Sequence, residues 1–187
     1  MNRKSFLLGL SAAGIVPFVS GHSLLRNIDS ETGTPVMLAP DLNNSYWYIG
    51  TLISILLSAK DTGGAFSLLH GYEIQGLEPP PHIHTQEDES FYILDGEITY
   101  TAGGKVMKAT RGSWVFLPRN IEHSFRVMTP RAEVLIHLSP GGFEEYFIEM
   151  SDPAAELVIP PMPQGPPDVR RIVETASRYG IRFPGLT

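Results

Sequence analysis

Three histidines and one glutamate carry the chemistry that this sequence could perform. His82 and His84 are separated by a single residue, Glu89 follows five positions later, and His123 lies in a separate apolar stretch. Residues two apart on a β-strand project to the same face, so the two imidazoles of the first pair point together into whatever that face encloses. The polar run Thr85 to Asp88 reads as a loop, after which Glu89 opens a second apolar strand, Ser90 to Leu94. Two imidazoles and a carboxylate, with His123 as the fourth group, suit one divalent transition metal: Mn, Fe, Co, Ni, Cu or Zn. The chain of 187 residues has no cysteine, so any such site is built from nitrogen and oxygen alone. Glu89 is also the candidate catalytic group, because a carboxylate beside a metal can ligate it or act as base toward an acidic enol or phenol. Taken alone, an HxH pair is as consistent with ordinary hydrogen-bonded histidines; the company it keeps gives it weight.

The elements that must position these groups are strands. Tyr46 to Ala59 reads as one continuous β-run, apolar in both parities, and is followed after the turn Lys60 to Gly64 by a strand from Ala65 to Glu73. Glu97–Thr101 and Lys105–Thr110 flank Ala102-Gly103-Gly104 as a hairpin. Ser113–Leu117 and His123–Met128 form the next pair, joined by Arg119 to Glu122, and Ala132–Leu138 is a further strand. By alternation Phe91 and Ile93 share the face of Glu89, and Phe125 and Val127 that of His123, making an apolar sleeve around the four groups. Tyr48, Phe143 and Phe147 are expected to complete a substrate pocket, the last two as a lid. His70 and His137 are expected to be structural. Ala154 to Pro167 is Pro-rich and irregular. An amphipathic helix then runs from Asp168 to about Tyr179, with Gly180 as its stop, and is expected to pack on the barrel exterior.

The spacing Gly76-x5-His82-x-His84-x4-Glu89-x6-Gly96, followed by Gly112-x5-Pro118 and His123, resembles the two motifs of the cupin superfamily. Asn120 stands where a Gly is usual and Val127 where an Asn is usual. The segments TGGAFSLLHG, PPPHIHTQEDESFYILDGEIT, VFLPRNIEHSFR and LSPGGFEEYF are further similar to the monocupin branch of quercetin 2,3-dioxygenase-like proteins. This resemblance implies an all-β double-stranded β-helix, or jelly-roll, barrel with His82, His84, Glu89 and His123 holding the metal. It also implies that Glu89 accepts a flavonol hydroxyl proton before O2 cleaves the ring and carbon monoxide is released. Two other functions stay open at this point: a metal-bearing cupin that binds a small molecule without turnover, and a metal-dependent isomerase or lyase. Cupins generally pair through their outer strands, and a homodimer is expected.

The chain is long enough for one sizeable core. Expected divisions are 1–21 as a signal peptide, 22–44 as an N-terminal arm, 45–151 as the barrel, and 152–187 as the Pro-rich segment and helix. Arg3-Lys4 followed by the uncharged run Phe6 to Val19 resembles an export signal, similar to the twin-arginine type with Lys in the second position, and is too short to span a bilayer comfortably. The processed protein is therefore expected to be periplasmic and without a stable membrane span. A formal charge of −6, with no basic cluster beyond the N-terminus, argues against nucleic acid as a partner. The expected partners are a small organic substrate and O2.

Overall fold

The computed structural model describes residues 35–186. The segment assigned to a signal peptide and most of the expected arm lie outside them. Twelve strands and two short helices follow in order. They are β1 (Ser45–Tyr48), β2 (Thr51–Leu57), β3 (Ser67–Ile74), β4 (Ile83–His84), β5 (Asp88–Asp95), β6 (Glu97–Ala102), β7 (Lys105–Thr110), β8 (Trp114–Leu117), β9 (His123–Val127), β10 (Arg131–Ser139), α1 (Glu144–Met150), β11 (Asp152–Pro153), α2 (Val169–Arg178) and β12 (Ile181–Arg182). All strand pairs are antiparallel. One sheet has seven strands in the order β11-β1-β2-β3-β10-β5-β8, a second has three in the order β7-β6-β9, and β12 pairs with β4.

The alternation that the sequence shows is used to fill the space between the sheets. Leu69, Phe91, Ile93, Val134 and Ile136 face inward from the large sheet, and Ile98, Tyr100, Phe125 and Val127 from the small one. The ring centroids of Phe91 and Tyr100 lie 5.2 Å apart and those of Phe91 and Phe125 5.8 Å, so the two inner faces meet through aromatic contacts. This is the jelly-roll arrangement expected from the sequence. Among the described residues no helix is long and apolar enough to cross a membrane.

Two expectations change, and a third stretch that the sequence left unassigned takes a definite form. The run Tyr46 to Ala59 is two strands, because Tyr48 pairs with Thr51 across a two-residue turn in which Ile49 (φ 44°) and Gly50 (φ 81°) are both left-handed. That is the turn whose twist matches a hairpin, and Gly50 supplies the half of it that a side chain would resist. Second, Glu144–Met150 is helical, anchored by the buried Glu144 carboxylate, which accepts from the Ala59 N–H at 2.6 Å and the Gly142 N–H at 2.7 Å. Third, α2 does not pack on an outer wall. Its Asp168 cap accepts from the Arg171 N–H at 3.0 Å as the sequence implied, but the helix lies over the open end of the sheets. Glu149 of α1 holds it there, pairing with Arg178 and accepting from the Tyr179 hydroxyl at 2.9 Å.

Gly96 shows why its motif position excludes a side chain. Its φ is 84°, and a Cβ there would come within 2.7 Å of the Arg131 carbonyl oxygen and 2.8 Å of the Ala132 Cα. Gly104 has a φ of 75° but open space around it. Gly96→Ala is expected to destabilise the fold by about 2–4 kcal/mol, whereas Gly104→Ala costs about 1 kcal/mol, the strain of the backbone conformation alone. Paired thermal and urea unfolding of the two variants checks the difference.

Candidate metal centre

His84 ends β4, Glu89 is the second residue of β5 and His123 the first of β9, while His82 bridges directly to His123 with N–H to carbonyl bonds of 3.0 Å both ways. One ligand atom from each of the four side chains lies within 4.8 Å of the others, and all four residues are buried. The Glu89 Oε2 is 3.3 Å from His123 Nε2 and 3.8 Å from His84 Nε2.

The outward nitrogens fix how these rings are protonated. His82 Nδ1 lies 3.0 Å from the Pro80 carbonyl, His123 Nδ1 3.1 Å from the Ile121 carbonyl, and His84 Nδ1 3.4 Å from Glu87 Oε2. Each partner can only accept, so each Nδ1 carries the hydrogen and each Nε2 presents a lone pair inward. The Nε2 of His123 is buried with no hydrogen-bond partner. An orphaned buried acceptor, two more inward lone pairs and an adjacent carboxylate fit a divalent cation, with His82, His84, Glu89 and His123 as the groups that would hold it.

The charges around the cluster act differently on its members. Burial pulls the His82 imidazole down to about 4, so it is neutral at pH 7. Burial opposes the charged form of Glu89, but positive charge at the inward faces of His84 and His123, whether carried by their own protons or by a cation held there, outweighs it and brings the carboxyl down to about 2. The loop that places His123 is pinned by Arg119, which donates to Asp88 through Nε at 3.1 Å, Nη2 at 2.9 Å and its backbone N–H at 2.9 Å. In that loop Asn120 takes a φ of 63°, the left-handed conformation its motif position demands. Val127, in place of a polar side chain, is buried, and its backbone N–H donates to Glu78 Oε1 at 2.8 Å.

The cluster forms one end of a cavity of about 350 Å³. His82, His84 and Glu89 line it, while His123 sits behind them. Of the side chains expected in the pocket, Tyr48, Phe91, Phe125, Phe143 and Phe147 line the cavity, and Ile93 and Val127 do not. Parity put those two on the correct side of their strands. However, the Phe91, Phe125 and Tyr100 rings close together as a floor, and Ile93 and Val127 lie sealed beneath it. His70 and His137 stand apart: His70 Nε2 pairs with Glu133 Oε1 at 2.7 Å, and His137 stacks on Phe66.

Several contributors were not foreseen. Tyr146 of α1 shares a 2.8 Å hydrogen bond with the Tyr48 hydroxyl at the cavity wall. Ile172, Val173 and Ala176 of α2, with Phe183 beyond it, make the roof. Glu73 of β3 also lines the cavity. Burial, followed by the negative charges of Glu89 and Glu78, pushes its carboxyl up to about 8. The signal for Glu73 was in the sequence: it follows Leu69 and Gly71 at a spacing of two, so it shares their inward face. The signal for Glu87 was a carboxylate three residues after a ligand-type histidine.

Residues 69–141 match the Cupin domain family. All four clustered side chains lie inside that span. Two curated relatives are quercetin 2,3-dioxygenases. The one from Bacillus subtilis (strain 168) is 29% identical over 110 residues, and the one from Aspergillus japonicus 29% identical over 117. Each alignment covers 59% of this chain and 33% of the relative, so the chain spans about a third of the length of these proteins. Among solved structures, KdgF from Halomonas sp. superimposes with a TM-score of 0.51 at 15% identity, over 59% of this chain and 99% of that one, a likeness of fold. The chain therefore carries a cupin domain and resembles quercetinase-like proteins.

Two outcomes are expected. Glu87→Ala removes the acceptor behind His84 and should weaken binding of a divalent transition metal about 10- to 100-fold, measured by competition with a chelator. Glu73 binds its proton more tightly folded than unfolded, so its contribution is greatest below the unfolded carboxyl value of about 4.3. It is lost as pH rises toward about 8. Urea unfolding should show wild type losing stability relative to Glu73→Gln between pH 5 and 8, with no further change above that range.

Proposed function

We propose that the protein is a metal-dependent dioxygenase, similar to the quercetinases, that cleaves a flavonol-like or other enolic aromatic molecule with O2. The observation that carries this reading is the placement of Glu89 and the inward imidazole nitrogens at one end of a cavity whose other walls are mainly aromatic and aliphatic. Phe91, Phe125, Phe143, Phe147 and Phe183 supply flat apolar surface, and among the described residues no lysine or arginine lines the space. Such walls suit a planar organic molecule and offer nothing to a phosphate.

The chain's own residues account for binding, orientation and the proton. Phe91 and Phe125 form the floor on which a planar ring system can lie, and residues of α1 and α2 line the opposite side. Glu89 is ionised at neutral pH and faces the cavity, so its Oε2 can accept the proton of an enol or phenol hydroxyl brought to it. Removing that proton leaves an electron-rich enolate, the form of the substrate that reacts with O2. A divalent transition metal, when bound, supplies Lewis acidity toward the enol oxygen and a route for electrons to O2. Export and pairing as a homodimer belong to the same proposal, resting on Arg3-Lys4 with the Phe6 to Val19 run and on the expected outer-strand contact.

Metal-loaded protein is expected to consume O2 with a flavonol and release carbon monoxide. Glu89→Gln should lower the rate at least about 100-fold. An oxygen electrode with a panel of enolic aromatics makes the measurement. No O2 uptake across the panel, with the ligands recovered unchanged, overturns the dioxygenase reading in favour of a binding cupin. Conversion without O2 overturns it in favour of an isomerase or lyase.

A further inference from the structure

We infer that Glu73 is a hydrogen-bond donor to the molecule held in the cavity. As a neutral carboxylic acid it engages a carbonyl or hydroxyl oxygen of an aromatic ligand. The inference rests on the proposed function for the ligand's class, and on the following geometry for the residue.

Three carboxyl groups line the cavity: Glu73, Glu78 and Glu89. Two of them are occupied. Glu78 accepts from the Gly76 N–H at 2.9 Å and the Val127 N–H at 2.8 Å, and Glu89 faces the imidazoles. Glu73 makes no hydrogen bond or ion pair with any described residue. It pairs with Ala132 across the β3–β10 ladder and continues the inward row of Leu69 and Gly71. Its side chain therefore has an aliphatic and aromatic setting and only the cavity to interact with.

The protonation state follows from the surroundings. An unpaired carboxylate in an apolar wall, with no cationic side chain among the described residues that line the space, is disfavoured against the acid form. Its proton is retained up to about pH 8. The other groups facing it do not mimic that change between pH 6 and 9. Tyr48 and Tyr100 are raised above the ordinary phenol range, His82 is held at about 4, and Glu89 at about 2. His84, whose imidazole is raised overall, is present in every variant compared below.

The test measures equilibrium binding to metal-loaded protein without turnover, under nitrogen. The probe is flavone, which has a carbonyl and no ionisable hydroxyl. Wild type should bind flavone about tenfold more weakly at pH 9 than at pH 6. Glu73→Gln keeps a donor and should match wild type at pH 6 and stay flat to pH 9. Glu73→Leu should be weak at both values. Equal flavone affinities for wild type and Glu73→Leu at pH 6, the same pH response in Glu73→Gln as in wild type, or no flavone binding at all would overturn the inference. If Glu73→Leu does not fold, the Glu73→Gln pH series still decides. Flavone binding with the expected pattern but no O2 uptake with flavonols removes only the dioxygenase reading, whereas O2 uptake with Glu73-independent binding removes only the donor role.

Discussion

The site depends on where three protons sit. Because Pro80 and Ile121 offer carbonyls and Glu87 a carboxylate to the outward ring nitrogens, the hydrogens of His82, His123 and His84 are drawn away from the centre. Three basic lone pairs are left facing the buried Glu89 carboxylate. Rotating any ring, or moving its hydrogen to the other nitrogen, would strand a buried acceptor on one side and a donor on the other. The scaffold serves this arrangement. The His82–His123 bridge fixes two rings against each other, and the Asp88–Arg119 pair ties the start of β5 to the loop before β9.

The cavity has two acids in opposite states because their neighbours differ. Glu89 is buried beside imidazoles and keeps its charge; Glu73 is buried beside other acids and keeps its proton. One wall thus offers an acceptor and another a donor, with aromatic rings between. That separation lets a single pocket both take a proton from one oxygen of a ligand and give a hydrogen bond to another.

Much of this could be read from residue spacing, for a definite reason. The side-chain period of a strand is fixed at two, so His82 with His84, Phe91 with Glu89, and Phe125 with His123 declare their common face. Depth is not encoded in that period, which is why Ile93 and Val127 were expected in a pocket from which the aromatic floor excludes them. The Ile49-Gly50 turn was hidden because a β-branched residue rarely takes a left-handed conformation, and its place there is imposed by the pairing of Tyr48 with Thr51. The destination of α2 was hidden too. An apolar stripe says that a helix covers something, and the partner is set by contacts such as Glu149 with Arg178 and Tyr179, far apart in the chain.

The roof comes from the C-terminal part of the chain. The ion-binding quartet is complete at His123, whereas α1 begins at Glu144 and α2 at Val169. Because the cover and the quartet come from separate stretches of chain, substitutions on the inner face of α2 would reshape the space above the ion-binding groups without altering the strands that carry them.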